Sequence, residues 1–191
     1  MAILTRLALL PPLAALLFGC AATTAPRDYK IVEGSQTGLV VVSFTQPYAV
    51  MQWTYRNLNE RDGDRNLVTQ MFASEVIKDR DTLLFALLLP AGEYEFFRWS
   101  TLDSGQLSFS PLPPYAMPRP AVSTDFSFRF KSVPGKATYI GNLYLSMVWE
   151  TARYALKARD NHESDIALFK ANYPNVRESQ IEFRIMTGTR F

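Results

Sequence analysis

The sequence predicts an all-β protein, an antiparallel β-sandwich with one short helix near the C-terminus. Apolar residues recur with period two along most of the chain, Pro and Gly punctuate the runs, and a single stretch carries helical spacing. The chain has 191 residues, 48% of them hydrophobic and 20% charged, which suits one globular domain and lies far from the composition of disordered chains. Basic and acidic side chains number 20 and 18, for a formal charge of +2. The basic residues are scattered, so no surface for nucleic acid is expected.

Leu39 to Thr45 is a β-branched run, and Tyr48 to Tyr55 alternates among aromatics; Leu67 to Val76 follows. Leu83 to Leu89 is wholly apolar, which predicts a strand buried on both faces. After the Pro90-Ala91-Gly92 turn, Glu93 to Thr101 puts Tyr94 and Phe96 on one face and Glu93 and Glu95 on the other. Ser123 to Lys131 repeats this more sharply, with Phe126, Phe128 and Phe130 opposite Asp125, Ser127, Arg129 and Lys131. Pro134-Gly135 turns the chain into Ala137 to Trp149, and Arg153 to Arg159 is the expected partner strand. The helix is expected to start at a capping box of Asp160 and Glu163, to bury Ile166, Phe169 and Tyr173, and to end at Pro174. Ile181 to Met186 closes the chain as a strand.

The N-terminus is of a different kind. Arg6 precedes Leu7 to Phe18, an uncharged apolar run interrupted by Pro11 and Pro12. As a helix it would rise about 18 Å, short of the roughly 30 Å hydrocarbon core of a bilayer. This is the pattern of a secretory signal, with residues 1–19 removed. The lone cysteine, Cys20, follows directly in Leu17-Phe18-Gly19-Cys20. That tetrapeptide resembles a bacterial lipobox, with Leu three before the cysteine and a small residue immediately before it. The resemblance implies cleavage before Cys20, a thioether-linked diacylglycerol and an N-acyl chain there, and no other cofactor. Ordinary signal cleavage nearby, for instance after Ala22, is the alternative. One acyl chain anchors a protein marginally, whereas two or three hold it stably. Ala21 and Ala22, where an Asp would imply inner-membrane retention, point by the same resemblance to the outer membrane and a periplasm-facing domain. Residues 20–30, small, polar and proline-containing, read as a lipidated tether, and residues 31–191 as the single domain.

The run from Leu88 to Phe96, with Pro90-Ala91-Gly92 ahead of an alternating strand, resembles the turn-and-strand signature of prealbumin-like, or carboxypeptidase-regulatory-like, β-sandwich domains of Ig-like architecture. Phe130 to Leu145 and Asp160 to Pro174 are similar to segments of uncharacterised bacterial lipoproteins. The resemblance implies a domain that binds, spaces or supports, with an envelope protein as partner.

Chemistry-bearing motifs are sparse. His162 is the sole histidine, within Asp160-Asn161-His162-Glu163-Ser164-Asp165. Without a second histidine or thiolate the usual zinc sets cannot be assembled, so no metal is expected, and the carboxylates suit a helix N-terminus. No G-x-S-x-G elbow or phosphate-binding glycine loop occurs. Arg56 to Asn66 gathers acidic residues around Gly63, but three arginines oppose them, which reads as a solvated hairpin loop and not a calcium loop. The five prolines of Pro111 to Pro120 favour an extended polyproline conformation, either a stiff connection or a ledge for a partner offered by Pro113, Pro114, Tyr115 and Met117. The functional expectation is a lipid-anchored, non-enzymatic envelope module. The alternatives are a periplasmic hydrolase or metal-dependent enzyme using His162, and a secretion-system accessory lipoprotein.

Overall fold

A computed structural model of the chain describes residues 24–46, 50–59, 63–70, 77–79, 82–101, 122–124, 126–148 and 153–190. Leu17, Phe18, Gly19 and Cys20 lie outside the described residues, as do Pro113, Pro114, Tyr115, Met117 and Asp125.

The described residues fold as an all-β sandwich of two six-stranded sheets with one α-helix. The first sheet contains β1 (Thr37–Thr45), β4 (Ile77–Asp79), β5 (Thr82–Pro90), β9 (Ala137–Val148) and β10 (Arg153–Arg159), in the order β10-β9-β1-β5-β4, with β11 (Ile181–Phe183) also pairing β9. The second contains β2 (Val50–Asn57), β3 (Arg65–Gln70), β6 (Gly92–Thr101), β8 (Phe126–Ser132) and β12 (Thr187–Arg190), in the order β12-β8-β6-β2-β3, with β7 (Val122–Ser123) on β6. Two pairings among the described residues depart from the antiparallel pattern: β1 and β9 run parallel, as do β11 and β9. Parallel neighbours need a long crossover; from β1 to β9 the chain makes it through the opposite sheet, and from β9 to β11 it returns through β10 and the helix.

Between the sheets lies an aromatic core. Phe44 from the first sheet meets Trp53 and Phe96 from the second at ring-centroid distances of 5.0 and 5.9 Å. Phe130 stacks on Tyr94 and Phe96, at 5.5 and 5.0 Å, within the second sheet. Phe126, Phe128 and Phe130 all turn inward, as their alternation predicts, while Arg129 and Lys131 are exposed.

The helix, α1 (His162–Asn172), forms a third layer on the outer face of the first sheet. This layer is why β1 and β5 lack alternation: Val40, Val42 and Phe44 face the aromatic core, while Leu39 and Val41 face the helix side with Phe169 and Tyr173. The helix starts differently from expectation. Its N-cap is Asn161, with no side-chain capping bond, and the Asp160–Glu163 box does not form. Asp160 sits one residue too early and instead accepts the His162 backbone N–H at 3.1 Å. Pro174 follows the C-cap Tyr173, so the helix ends where expected.

The segment expected as a tether is laid against this same layer from Thr24 onward. Thr24 bridges Leu87 on the side of β5 away from β1, and the Ala25 N–H donates to the Ala86 carbonyl at 2.8 Å. Tyr173 donates its hydroxyl to the Ala25 carbonyl at 3.0 Å, Asn175 reaches the Asp28 carbonyl at 2.9 Å, and Arg27 bonds Asn172. The boundary at residues 30 and 31 therefore does not mark where packing begins.

Candidate functional site

Two polar clusters stand out, one sealed and one open. The sealed cluster lies between α1 and the first sheet. Asp165, 2% exposed, directs Oδ2 at the sheet, where it accepts from Ser43 Oγ at 2.5 Å and from the Tyr139 hydroxyl at 2.7 Å. Tyr139 in turn accepts the Asn161 backbone N–H at 3.2 Å, and Asn142 Nδ2 donates to Ser43 Oγ at 2.8 Å and to Thr45 Oγ1 at 3.2 Å. The buried Asn142 Oδ1 has no hydrogen-bond partner among the described residues.

The backbone that makes this cluster possible is a bulge in β9. Register runs Val41↔Tyr139 and then Ser43↔Asn142, so β9 spends an extra residue at Ile140-Gly141. The bulge lets Tyr139 and Asn142 share the helix-side face while Ile140 and Leu143 both reach the aromatic core. Gly141 has φ of +100°, and a Cβ there would lie 2.8 Å from the Arg159 carbonyl oxygen, so the position requires glycine. Burial pushes the Asp165 carboxyl above the usual Asp range, opposed by the Ser43 and Tyr139 hydrogen bonds and reinforced by the charge of Asp160. Burial, with the hydrogen bond to Asp165 and its charge, also raises the Tyr139 phenol. A water-excluded carboxylate whose accepting oxygen is already engaged pins the helix to the sheet; it offers no access to a ligand.

The open cluster lies on the outer face of the second sheet. Pairing places Arg56 of β2 opposite Glu95 of β6, Glu95 opposite Arg129 of β8, and Arg129 opposite Thr187 of β12, a row across four strands. Arg56 grips Glu95 Oε1 through Nε at 2.7 Å and Nη2 at 2.6 Å, and Ser127 donates to Oε2 at 2.6 Å. Glu95 is 4% exposed, whereas the Arg56 side chain keeps 48% of its surface. Burial alone would raise the Glu95 carboxyl, but the Ser127 and Arg56 hydrogen bonds and the charges of Arg56 and Arg129 outweigh it and hold the group below the usual Glu range. A second bulge, between Thr54↔Arg98 and Tyr55↔Phe96, inserts Phe97 so that its ring lies 4.5 Å beneath the Arg56 guanidinium.

These side chains line a groove of about 700 Å³, to which Thr124 and Phe126 and, from β12, Thr187 and Gly188 also contribute. A Cβ at Gly188 would lie 2.4 Å from the Ser127 carbonyl oxygen, so glycine lets β12 run this close to β8.

His162, the residue that the alternative reading as an enzyme would use, is bonded to neither cluster. It is exposed at the start of α1, with Nδ1 3.0 Å from Asp160 Oδ1 and its ring 5.7 Å from that of Phe183. Among the described residues no three His, Cys, Asp or Glu side chains converge as a metal site would require. β2 and β3 pair antiparallel, as the hairpin expected at Arg56 to Asn66 requires; Arg56 belongs to the strand and pairs with Glu95, while Glu60, Arg61 and Asp62 lie outside the described residues. Sequence reading placed Glu95 on the outer face correctly and missed that Arg56 and Ser127 cover it.

No family model matches the chain, and no curated protein matches it. Among solved structures, a leucine-rich repeat protein from Bacteroides thetaiotaomicron aligns with a TM-score of 0.33 and 17% identity over 59% of this chain. The alignment spans 14% of that protein's length, and the likeness is too slight to identify either fold or function.

Proposed function

We propose that this chain is a lipid-anchored protein of the bacterial envelope, held at the periplasmic face of the outer membrane, whose prealbumin-like sandwich acts as a binding or structural module without catalysis of its own. The observation that carries the anchoring is the lipobox-like Leu17-Phe18-Gly19-Cys20 directly behind an apolar run too short to span a bilayer. No helix among the described residues is long and apolar enough to cross a membrane. The geometry adds a constraint. Thr24 is already bonded to the sandwich, so a lipid on Cys20 would keep the body within about 14 Å of its attachment point, at up to roughly 3.6 Å per residue. Binding is assigned to the outer face of the second sheet because the open groove with its charged row lies there, while the helix and the N-terminal segment occupy the outer face of the first sheet.

Metabolic labelling with a palmitate analogue tests the anchor. Wild type should incorporate the label and fractionate with membranes, and Cys20→Ser should do neither. An unmodified Cys20 thiol, or a mature start beyond Cys20, in the mass spectrum of the native protein refutes the anchoring. In-cell crosslinking followed by gentle solubilisation should recover a specific envelope protein, and turnover of a substrate with no such partner would refute the module reading.

A further inference from the structure

The groove on the second sheet has a composition that selects among ligand classes. Its row carries two guanidiniums and one carboxylate, a net charge of +1, and the carboxylate lies at the bottom. Glu95 has both oxygens engaged, so it serves as a fixed counter-charge that orients Arg56. The Arg56 head remains half in water above Phe97, and Arg129, exposed on the next strand but one, makes no ion pair among the described residues. Strands lie about 4.8 Å apart, which puts the two arginine backbones about 10 Å apart. That span suits a planar group reached by both side chains. Forked guanidinium donors match the two oxygens of a carboxylate. A single negative charge balances the row, whereas a phosphate dianion would bring surplus negative charge over Glu95. The volume is that of a site for a small molecule or a few residues of peptide, and Phe97 supplies apolar wall beside the charges.

We propose that this groove binds a monoanionic carboxylate carried on a short peptide-like chain, with Arg56 and Arg129 as its two charged contacts and Glu95 as the positioning residue that holds Arg56 in place. The inference rests on the reading of the domain as a binding module and names the ligand chemistry of its site.

The test uses the full-length protein, purified from membranes in a neutral detergent, and saturation-transfer NMR with acetyl-Ala-Ala-Phe as the free acid and as its C-terminal amide. The free acid should bind and the amide should not, and inorganic phosphate at equal concentration should leave the bound acid in place. Arg129→Ala should weaken binding about tenfold, the loss expected when one charge-assisted contact is removed, with the circular dichroism spectrum unchanged. Should that variant fold poorly, Arg129→Lys keeps the charge without the fork and should weaken binding several-fold. Equal binding of acid and amide, no binding of either, displacement by phosphate, or full affinity in a folded Arg129 variant would overturn the proposal. If the acid fails while crosslinking still captures an envelope protein, the ligand assignment falls and the module reading stands; if both fail, both fall.

Discussion

Asp165 is the position where a substitution should reveal most about how the fold is held. Its Oδ2 is the common acceptor for the hydroxyls of Ser43 and Tyr139, both wholly buried. Asp165→Ala would leave two donors without an acceptor, each costing about 1 to 3 kcal/mol, offset by relief of the buried carboxylate, for a net loss of about 3 kcal/mol. Asp165→Asn keeps a carbonyl oxygen with two lone pairs, so it should stay within about 1 kcal/mol of wild type near neutral pH. The pH dependence separates the charge from the hydrogen bonds. Because the native carboxyl titrates above the ordinary Asp range, the folded state holds its proton more tightly than the unfolded chain does. Stability from this group is therefore fully present below the unfolded pKa and is lost as pH rises through the native one. Urea denaturation of wild type and Asp165→Asn between acid and neutral pH should show wild type losing ground to the amide as pH rises. A difference that is flat with pH, or that turns in favour of wild type at higher pH, would refute the account of a desolvated carboxylate. An alanine variant as stable as the amide would refute the role of the hydrogen bonds.

Three further outcomes follow from the same geometry. Glu95→Gln should cost about 2 kcal/mol at neutral pH, less than for a fully buried pair because Arg56 is half in water. Since the native Glu95 carboxyl is held low, that advantage of wild type is present above the unfolded Glu pKa and should vanish as pH falls through the native one, read by urea midpoints across the acid range. Gly141→Ala combines a left-handed backbone with a contact of 2.8 Å to a carbonyl oxygen, and should cost about 2 to 3 kcal/mol, seen as a lower melting midpoint with loss of near-ultraviolet dichroism from the packed aromatics. His162→Ala removes an exposed ring and should change stability by no more than about 0.5 kcal/mol with crosslinking to a partner intact; loss of a hydrolytic activity with the fold unchanged would instead favour the enzyme alternative.

How far the fold could be read depended on whether a strand has one dry face or two. Strand β8 has one, so the alternation of Phe126, Phe128 and Phe130 with Ser127, Arg129 and Lys131 is the structure written out. Strand β5 has two, and its unbroken apolar run correctly implied a covering layer on the outside. The same logic failed at Asp165, because a carboxylate in the first turn of a helix is explained locally by the helix dipole, and nothing nearby in sequence tells of Ser43 and Tyr139 waiting on the sheet. A signal did exist. Gly141 interrupts an otherwise regular strand, and a glycine there marks a bulge, which would have shifted Asn142 to the face shared by Tyr139. The parallel pairings of β9 and the short strands β4, β7 and β12 had no local signature, since each is defined by a partner far away in the chain.

The two buried carboxylates show why residue type alone could not locate the site. Asp165 and Glu95 expose 2% and 4% of their surface, yet their titrations are displaced in opposite directions. Asp165 receives only neutral hydroxyl donors inside a sealed layer, so desolvation prevails. Glu95 receives a guanidinium and a hydroxyl, with a second guanidinium beyond, so its charge is favoured despite burial. A carboxylate stabilised as an anion at the floor of an open groove fixes the field that an incoming ligand meets, whereas one sealed beneath a helix governs only whether that helix stays docked. Substitutions at Asp165 should therefore move stability and leave ligand affinity alone in the molecules that remain folded. Those at Glu95 should move both, because releasing Arg56 alters the groove as well as the sheet.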